Sequence, residues 1–167
     1  AWTLLDGPVG KELAEKSAAK GMVVLGYWDN GIRQITNSKR PIAKPEDLRG
    51  LRIRTTTDKS IMDTMTALGA TPVPMNFSTV YEALKQKFVD GQDNPLPSAR
   101  AAKFYEVSKE IVLTSHLVDG IFLSFATKTF NALTPALQQK VRAAAQALGS
   151  RAQFRLAGAI QKAQRRL

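Results

Sequence analysis

The spacing of apolar residues along the chain predicts which segments form helices and which form strands. Spacings of three and four residues predict helices over residues 8–20 and 58–68, and a further helix that begins at Ser78. Alternating or continuous apolar positions predict the strands, which cover residues 22–28, 32–36, 51–54, 110–117 and 120–126. This alternation of strands and helices is typical of an α/β protein with a mostly parallel sheet.

Glycine, proline and acidic residues indicate where the predicted elements end. Asp29-Asn30-Gly31 and Val118-Asp119-Gly120 predict breaks between extended segments, and Phe88-Val89-Asp90-Gly91 predicts a strand end or a turn. Residues 95–107 are predicted to be helical. The short segment Val73–Met75 is flanked by proline, so we expect either an edge strand or a loop there.

Capping residues delimit the shorter helices. Asp58 or Ser60 can cap the start of the helix over residues 58–68, and Gly69 can end it. Residues 45–48 predict a single helical turn closed by Gly50. In the helix that begins at Ser78, the predicted apolar face consists of Val80, Tyr81, Leu84 and Phe88.

A long helix is predicted at the C-terminal end of the chain. Thr134-Pro135 combines a capping residue with a first helical position that suits proline, and the pattern continues towards Leu167. Its apolar stripe consists of Leu137, Val141, Ala144, Leu148, Ala152, Leu156, Ala159 and Ala163. A helix of about thirty residues is long for a small domain, so we expect it to need a further surface to lie against.

Positive charge is concentrated in the same segment. The chain of 167 residues has 24 Lys+Arg against 14 Asp+Glu, a formal net charge of +10. Eight of the cations follow Asp119, the last acidic residue, which leaves 24 − 8 = 16 cations against 14 anions before it. The basic segment is either a solvated helix face or a patch for nucleic acid or anionic lipid. Few aromatic residues there could stack on bases, which favours the solvated face.

Several classes of chemistry lack the residues that they need. The chain has no cysteine, which excludes disulfides, cysteine-ligated metal centres and thiol catalysis. It has neither a P-loop nor a Gly-x-Gly-x-x-Gly motif, so no nucleotide cofactor is expected. Asp90 and Asp93 around Gly91 favour a turn over a glycosidase pair. No apolar run is long enough to span a bilayer, and no secretory signal is expected.

Two individual side chains are candidates for function. The one histidine, His116, is most often a structural hydrogen-bonding residue in such a context, with ligand contact and catalysis as alternatives. Arg54 ends a predicted strand directly before a predicted helix start, where a guanidinium and a helix N-terminus both favour an anion such as a carboxylate. The equally weighted alternative is that Arg54 pairs with an acidic neighbour on the surface.

Seven motifs follow one another along the chain. They are residues 7–13 (GPVGKEL), 28–34 (WDNGIRQ), 36–42 (TNSKRPI), 45–54 (PEDLRGLRIR), 68–75 (LGATPVPM), 89–96 (VDGQDNPL) and 102–107 (AKFYEV). Together they resemble the solute-binding proteins of tripartite ATP-independent periplasmic (TRAP) transporters, from about residue 7 to residue 150. The resemblance implies a two-lobed α/β fold of the type II periplasmic-binding-protein kind. It also implies a periplasmic receptor, not an enzyme, that closes on a small organic acid and delivers it to a permease driven by an ion gradient.

The resemblance also implies individual ligand-binding residues. Arg54 matches the arginine that pairs with the ligand carboxylate, and Asn94 matches an asparagine that hydrogen-bonds the ligand. Arg33 matches a second basic contact, and Phe77 matches an aromatic residue of the cleft. Trp28 and His116 are weaker candidates, and Asp93 stands where the family usually has glutamate. No metal is implied.

Members of the resembled family have most of another lobe before the segment that starts here. We therefore expect this sequence to be a fragment that lacks most of the first lobe. On this interpretation residues 1–30 are a remnant of the first lobe and residues 31–118 form the second α/β lobe. Residues 119–150 return to the first lobe, and residues 134–167 form the long bracing helix.

Overall fold

Strands β1 (Met22–Asn37) and β5 (Glu110–Ala126) are the longest strands of the fold, and each passes from one structural unit into another. The computed structural model describes residues 2–148. Unit 2 is continuous in sequence and spans Ile32–Leu117. Unit 1 is formed by the described residues before and after it.

The remaining elements are short. The other strands are β2 (Arg52–Thr55), β3 (Thr71–Pro74) and β4 (Gly91–Pro95). The helices are α1 (Trp2–Leu5), α2 (Pro8–Ala18), α3 (Lys59–Ala67), α4 (Val80–Lys85), α5 (Leu96–Ala101), α6 (Thr127–Asn131) and α7, which covers residues 135–148. Segments of 3₁₀ helix lie at Pro45–Leu48, Phe77–Thr79 and Phe104–Glu106.

The strands form one mixed sheet in the order β3-β2-β4-β1-β5. Strand β2 is parallel to both β3 and β4, whereas β4 pairs antiparallel with β1, with Gln34 opposite Asn94 and Thr36 opposite Gln92. The expectation of a mostly parallel sheet is therefore wrong for β1. Helices connect β2 to β3 and β3 to β4, and such crossover connections make neighbouring strands parallel. Strand β1 enters unit 2 directly from unit 1 without a crossover helix, so it can pair with β4 in the antiparallel direction.

Two hydrophobic cores hold unit 2 together. Helix α3 contributes Met65 to the first, which also contains Ile35, Leu48, Leu51, Ile53 and Ala70. Helix α4 contributes Val80 and Leu84 to the second, together with Val89, Ala99 and Phe104. Ile53 of the first cluster pairs with Pro72, whereas the next residue of β3, Val73, packs against the second cluster. Because successive strand residues face opposite sides, we infer that α3 and α4 cover different sides of the sheet.

Most short elements lie where the sequence predicts them. Asp58 is the cap of α3, because its carboxylate accepts hydrogen bonds from the backbone N–H groups of Ser60 and Ile61. The glycines at positions 50 and 69 have φ angles of 72° and 83°, the left-handed conformation that glycine adopts without strain after a helical turn. Strand β3 is the edge strand that the proline-flanked segment allowed.

The two predicted breaks at residues 29–31 and 118–120 are wrong, because β1 and β5 run through them without interruption. At Asp29-Asn30-Gly31 the turn tendency survives only as a local irregularity of the strand, since Gly31 has a φ of 112°. The Asp29 carboxylate accepts from the Gly31 N–H at 2.8 Å. The Asn30 amide donates to the carboxylate of Asp119 at 2.7 Å, which links β1 to β5 within unit 1.

Residues 88–91 are predicted as a strand end or a turn; residues 88–90 do form a bend, whereas Gly91 begins β4, so only a turn at Gly91 itself is wrong. Residues Gly91–Pro95 form β4, and each of them is buried. Helix α4 ends at Lys85, so Phe88 is 59% exposed and does not extend its apolar face. The predicted helix over residues 95–107 is in fact α5 followed by the separate 3₁₀ segment at Phe104–Glu106.

Helix α7 begins where the sequence predicts it, with the Thr134 hydroxyl accepting from the Leu137 N–H at 3.4 Å. The apolar stripe is only partly correct, because Leu137 and Leu148 are about half exposed and Ala145 is the buried position. The rest of the predicted stripe and the basic residues from Arg151 onward lie outside the described residues. Within residues 2–148, no helix has both the length and the apolar character of a membrane span.

Asp90 joins three segments of unit 2 at the start of β4. Its carboxylate accepts from the Arg52 backbone N–H at 2.8 Å and from the Arg52 guanidinium at 3.0 Å. The Lys39 ammonium lies 3.3 Å away. Burial raises the pKa of Asp90, but the hydrogen bonds from Arg52 and Lys39 outweigh it and lower the pKa from 3.8 to about 2.

We predict that Asp90→Asn lowers the free energy of unfolding by about 2 kcal/mol at neutral pH. Because the folded-state pKa is depressed, this stabilisation is present above the unfolded-state value of 3.8 and is lost as pH falls through about 2. Urea denaturation at a series of pH values therefore should show the two proteins converging in acid. The matched control is Asp63→Asn, since Asp63 is 62% exposed and forms an ion pair with Lys59 on the helix surface. A loss that is equally large in acid would contradict this assignment.

Candidate functional site

The winding of the parallel strands creates a crevice between β2 and β4. The chain leaves β2 for β3 on one side and then returns to β4 on the other side of β2. The pairing of β2 with β4 ends at Arg54 and Gln92, whereas the pairing of β2 with β3 continues to Thr55. Open α/β sheets bind ligands outside the carboxyl ends of their strands at such a switch point. The carboxyl ends of β2 and β4 are therefore the candidate site.

Arg54 stands at this crevice with an incomplete set of hydrogen bonds. It is only 2% exposed, and its Nε and one terminal nitrogen donate to the main-chain carbonyl of Met75 at 3.1 and 2.7 Å. The other terminal nitrogen is buried and has no hydrogen-bond partner among the described residues. The alternative of a surface ion pair is wrong, because the side chain is buried and its hydrogen bonds go to a backbone oxygen.

An aromatic ring lies beside this guanidinium. The Phe77 ring centre is 5.9 Å from the central carbon of the Arg54 guanidinium, within the range of a cation–π contact. The Phe77 ring also packs on the buried Phe104 at 5.6 Å between centres. Phe77 nevertheless remains 47% exposed, so it offers an apolar surface beside the charge.

A buried ion pair lies on the neighbouring strands. The Arg33 Nε donates to the Asp93 carboxylate at 2.6 Å, and a terminal nitrogen of Arg33 donates to the Asp93 main-chain carbonyl. Arg33 is 2% exposed and Asp93 is fully buried. The predicted second basic contact is thus already engaged with the protein, and any role that it has towards a ligand includes holding this carboxylate.

His116 adds a second partner for Asp93. Its Nε2 lies 3.5 Å from the carboxylate oxygen that Arg33 binds, and its Nδ1 lies 2.7 Å from the Thr114 hydroxyl. At this separation the buried Nε2 makes no hydrogen bond to a described residue, so the contact is weaker than that of Arg33. The hydrogen bond with Thr114 fits the interpretation of His116 as a structural hydrogen-bonding residue.

The charges of the cluster act on one another. Burial raises the pKa of Asp93, but His116 and Arg33 outweigh it, so the pKa lies below its usual value and the carboxylate is ionised at neutral pH. Burial lowers the pKa of Arg54, an effect that Asp93 opposes and Arg33 adds to. An arginine remains protonated in any case. Arg33, Arg54 and Asp93 together therefore carry two positive charges and one negative charge.

Asn94 belongs to a polar row that the sequence analysis missed. Its amide nitrogen donates to the Gln92 side-chain oxygen at 2.7 Å, and the Gln92 amide nitrogen donates to the Thr36 hydroxyl at 2.9 Å. All three residues are at most 6% exposed. A sequence signal was present, because Gln92 and Asn94 alternate with Asp93 and would share a face if the segment were a strand. The glycine and aspartates around them favoured a turn instead.

The predicted residues do not all lie in the same unit. Arg33, Arg54, Asn94 and Phe77 belong to unit 2, and Arg54 lies close enough to Phe77 and Asp93 to interact with both. Trp28 belongs to unit 1, where it is partly exposed while its indole nitrogen is buried without a hydrogen-bond partner in the described structure. The role of Trp28 stays a prediction.

The arrangement is suited to binding an anion. Its net charge is positive, one buried N–H group lacks an acceptor, and the cluster of β2 and β4 side chains is polar beside one exposed aromatic ring. Residues 2–148 contain no group of three or more acidic or histidine side chains arranged to hold a metal ion. A carboxylate matches this set of donors, since a guanidinium can hold it with two parallel hydrogen bonds.

Comparison with known proteins gives a consistent result. The model of the family described as bacterial extracellular solute-binding protein, family 7, matches residues 1–165. A similar relative is the 2,3-diketo-L-gulonate-binding periplasmic protein YiaO of Escherichia coli, 38% identical over 146 residues. The match covers 87% of this chain and 44% of that protein.

Solved structures agree with the family match. A TRAP periplasmic solute-binding protein from a Sulfitobacter species, with bound β-D-galacturonate, has a TM-score of 0.90 at 34% identity, covering 99% of this chain and 55% of that one. One from Sulfurospirillum deleyianum, with bound succinate, has a TM-score of 0.85 at 34% identity, covering 89% of this chain and 48% of that one. The fold is thus that of these solute-binding proteins, and the chain spans about half the length of the relatives that it matches. Nothing in these comparisons supports the nucleic-acid or lipid alternative.

The Arg33–Asp93 ion pair generates a stability prediction. Arg33→Met leaves a buried carboxylate without its main partner, so we expect the free energy of unfolding to fall by about 3–5 kcal/mol. In the double variant Arg33→Met/Asp93→Leu neither charge remains, and the loss should be smaller than the sum of the single losses by about 1–3 kcal/mol. Urea denaturation of the four proteins measures both quantities.

The control for this cycle is Lys59→Met, which removes one partner of an ion pair with side-chain exposures of 86% and 62%. We expect it to change the free energy of unfolding by less than about 0.5 kcal/mol. Additive losses in the double variant would contradict a direct Arg33–Asp93 interaction.

Proposed function

Because the chain belongs to family 7 of the bacterial extracellular solute-binding proteins, we propose that it serves as an extracytoplasmic receptor for a small organic acid. It captures the acid through the carboxylate and delivers it to the membrane-embedded permease of a TRAP transporter, which an ion gradient drives. The receptor works in the periplasm and catalyses no reaction. The observation that carries the proposal is the buried, incompletely bonded guanidinium of Arg54 at the switch point of the sheet.

The first argument is the free-energy cost of leaving a buried nitrogen of Arg54 without a hydrogen-bond acceptor. A buried donor without an acceptor costs about 1–3 kcal/mol, and more when the group is charged. A ligand carboxylate that reaches the unpaired nitrogen removes this cost and adds a charge-assisted hydrogen bond. The Met75 carbonyl holds the guanidinium in place beforehand, so little side-chain entropy is lost on binding.

The second argument is the distribution of charge around the crevice. The Arg33–Asp93 pair is internally neutral, so the net positive charge belongs to Arg54. An incoming anion therefore meets a single uncompensated cation rather than a diffuse basic surface. Because this cation is buried, salt screens it less than it screens exposed charges.

The ligand is proposed to be a small acid that carries hydroxyl groups. Asn94 and Phe77 would contact it beside the carboxylate, the amide by hydrogen bonding and the ring by apolar contact. Two relatives named above bind 2,3-diketo-L-gulonate and β-D-galacturonate, and both of these acids carry hydroxyl groups. The Sulfurospirillum protein holds succinate, which has no hydroxyl group. Comparing the affinity for succinate with the affinity for the sugar acids therefore tests whether hydroxyl groups contribute to binding.

Calorimetric titration of the protein as encoded, with any flanking sequence, tests the function. The probes are β-D-galacturonate, 2,3-diketo-L-gulonate, succinate and the neutral sugar galactose. We expect at least one acid to bind and galactose to fail, with only a modest loss of affinity between low and high salt. Binding of galactose as tightly as galacturonate would overturn the carboxylate assignment. Absence of binding to every acid would overturn the proposed function.

We predict that Arg54→Ala weakens binding of the preferred acid by ~10²–10³-fold, which corresponds to roughly 3–4 kcal/mol. Arg54→Lys should also bind poorly, because an ammonium lacks the planar fork that grips a carboxylate. The fold should survive both changes, and a melting curve for each variant checks this.

The matched control is Arg52→Ala, on the same strand two residues earlier. Arg52 bonds to Asp90 and is 43% exposed at its side chain, so its removal should alter stability but leave the dissociation constant within about twofold. Binding by Arg54→Ala within threefold of the unmutated protein would mean that Arg54 does not contact the ligand. Unfolding of Arg54→Ala would mean that the residue is structural.

A further inference from the structure

Gln92 occupies the centre of the polar row that crosses three strands of unit 2. It pairs in register with Arg54 on β2 and with Thr36 on β1, so the three side chains share one face of the sheet. Asn94 lies on the same face, two residues further along β4. Gln92 is fully buried, and its amide oxygen and nitrogen are both hydrogen-bonded within the protein, to Asn94 and Thr36.

We propose that Gln92 is a positioning residue that fixes the side-chain amide of Asn94 for ligand binding, and that Thr36 fixes Gln92. The proposal rests on the function proposed above and adds residues that do not touch the ligand. Each link is a single well-placed hydrogen bond, 2.7 Å from Asn94 to Gln92 and 2.9 Å from Gln92 to Thr36.

The reason for such support lies in the freedom of an asparagine side chain. The terminal torsion of asparagine is broad, so the amide alone does not hold one orientation. Donating one N–H to the Gln92 oxygen removes this freedom and leaves the second N–H and the amide oxygen for a ligand. Within the described residues the Asn94 side chain makes no other hydrogen bond, so this single bond sets its direction.

The position of Gln92 also has an electrostatic consequence. Its side-chain oxygen lies on the same face as Arg54 but is committed to Asn94. Gln92 therefore leaves the unpaired nitrogen of Arg54 for the ligand instead of satisfying it. Because the Gln92 oxygen accepts from Asn94 and not from Arg54, the Asn94 amide and the Arg54 guanidinium both remain available to the same anion.

A double-mutant cycle tests the proposal in the protein as encoded, with β-D-galacturonate, 2,3-diketo-L-gulonate and succinate as probes. Gln92→Met keeps the length of the side chain and removes its hydrogen bonds, so we expect affinity for the bound acid to fall about 5- to 30-fold. Asn94→Ala should cause a comparable or larger loss. In the Asn94→Ala background, Gln92→Met should change affinity by less than about twofold, since there is no amide left to position.

Thr36→Val provides a second variant if Gln92→Met does not fold. It should weaken binding less than Gln92→Met does, and Thr36→Ser, which keeps the hydroxyl, should recover most of the affinity. The control is Thr66→Val, which removes a hydroxyl hydrogen bond of 2.9 Å on the surface of α3 and should leave affinity unchanged. The side-chain amide resonances of Asn94 give a reading without ligand, because their proton shifts should converge in Gln92→Met.

Equal losses from Gln92→Met in both backgrounds would overturn the positioning role, and so would unchanged Asn94 resonances. Equal affinities of Thr36→Val and Thr36→Ser would overturn the part assigned to Thr36. These outcomes differ from failure of the proposed function, in which the unmutated protein itself binds none of the acids.

Discussion

Unit 2 buries two guanidinium groups and one carboxylate, those of Arg33, Arg54 and Asp93, and its strands are placed so that Asp93 forms its ion pair with Arg33. Arg33 and Asp93 lie on the antiparallel pair β1 and β4, where they neutralise each other at 2.6 Å. Arg54 lies on β2, across the point where the pairing with β4 ends. Because Arg54 pairs in register with Gln92, the next residue of β4, Asp93, belongs to the opposite face of the sheet, where it meets Arg33 instead of Arg54.

Burying the polar side chains of unit 2 costs free energy, which the burial of its apolar clusters must offset. Buried amides and hydroxyls are tolerated only when they are hydrogen-bonded, and the row of Asn94, Gln92 and Thr36 satisfies most of its own members. The cores that α3 and α4 form against the sheet supply the burial that keeps this row in place. Rigid surroundings of this kind favour a site whose donors are oriented before the ligand arrives.

Local patterns predicted the elements that depend on local physics. The cap at Asp58, the turn before Gly50 and the edge position of β3 follow from backbone hydrogen bonding and proline geometry within a few residues. The same local rules failed at β4, because its five buried residues include no large apolar side chain. They also failed at Gly31 and Gly120, where strand pairing overrides the turn tendency of the residues around them.

The sequence by itself determined the family, the order of most elements and the identity of Arg54 as an anion-binding candidate, because the order of the motifs and the ends of the predicted strands can be recognised from the residues alone. Tertiary structure alone decided that β4 is a strand, that Arg33 is paired with Asp93 and that Gln92 is hydrogen-bonded to Thr36. The physical reason is that these interactions join positions up to 60 residues apart. Whether a polar residue is buried and partnered depends on the strand that folds beside it, and no local pattern carries that information.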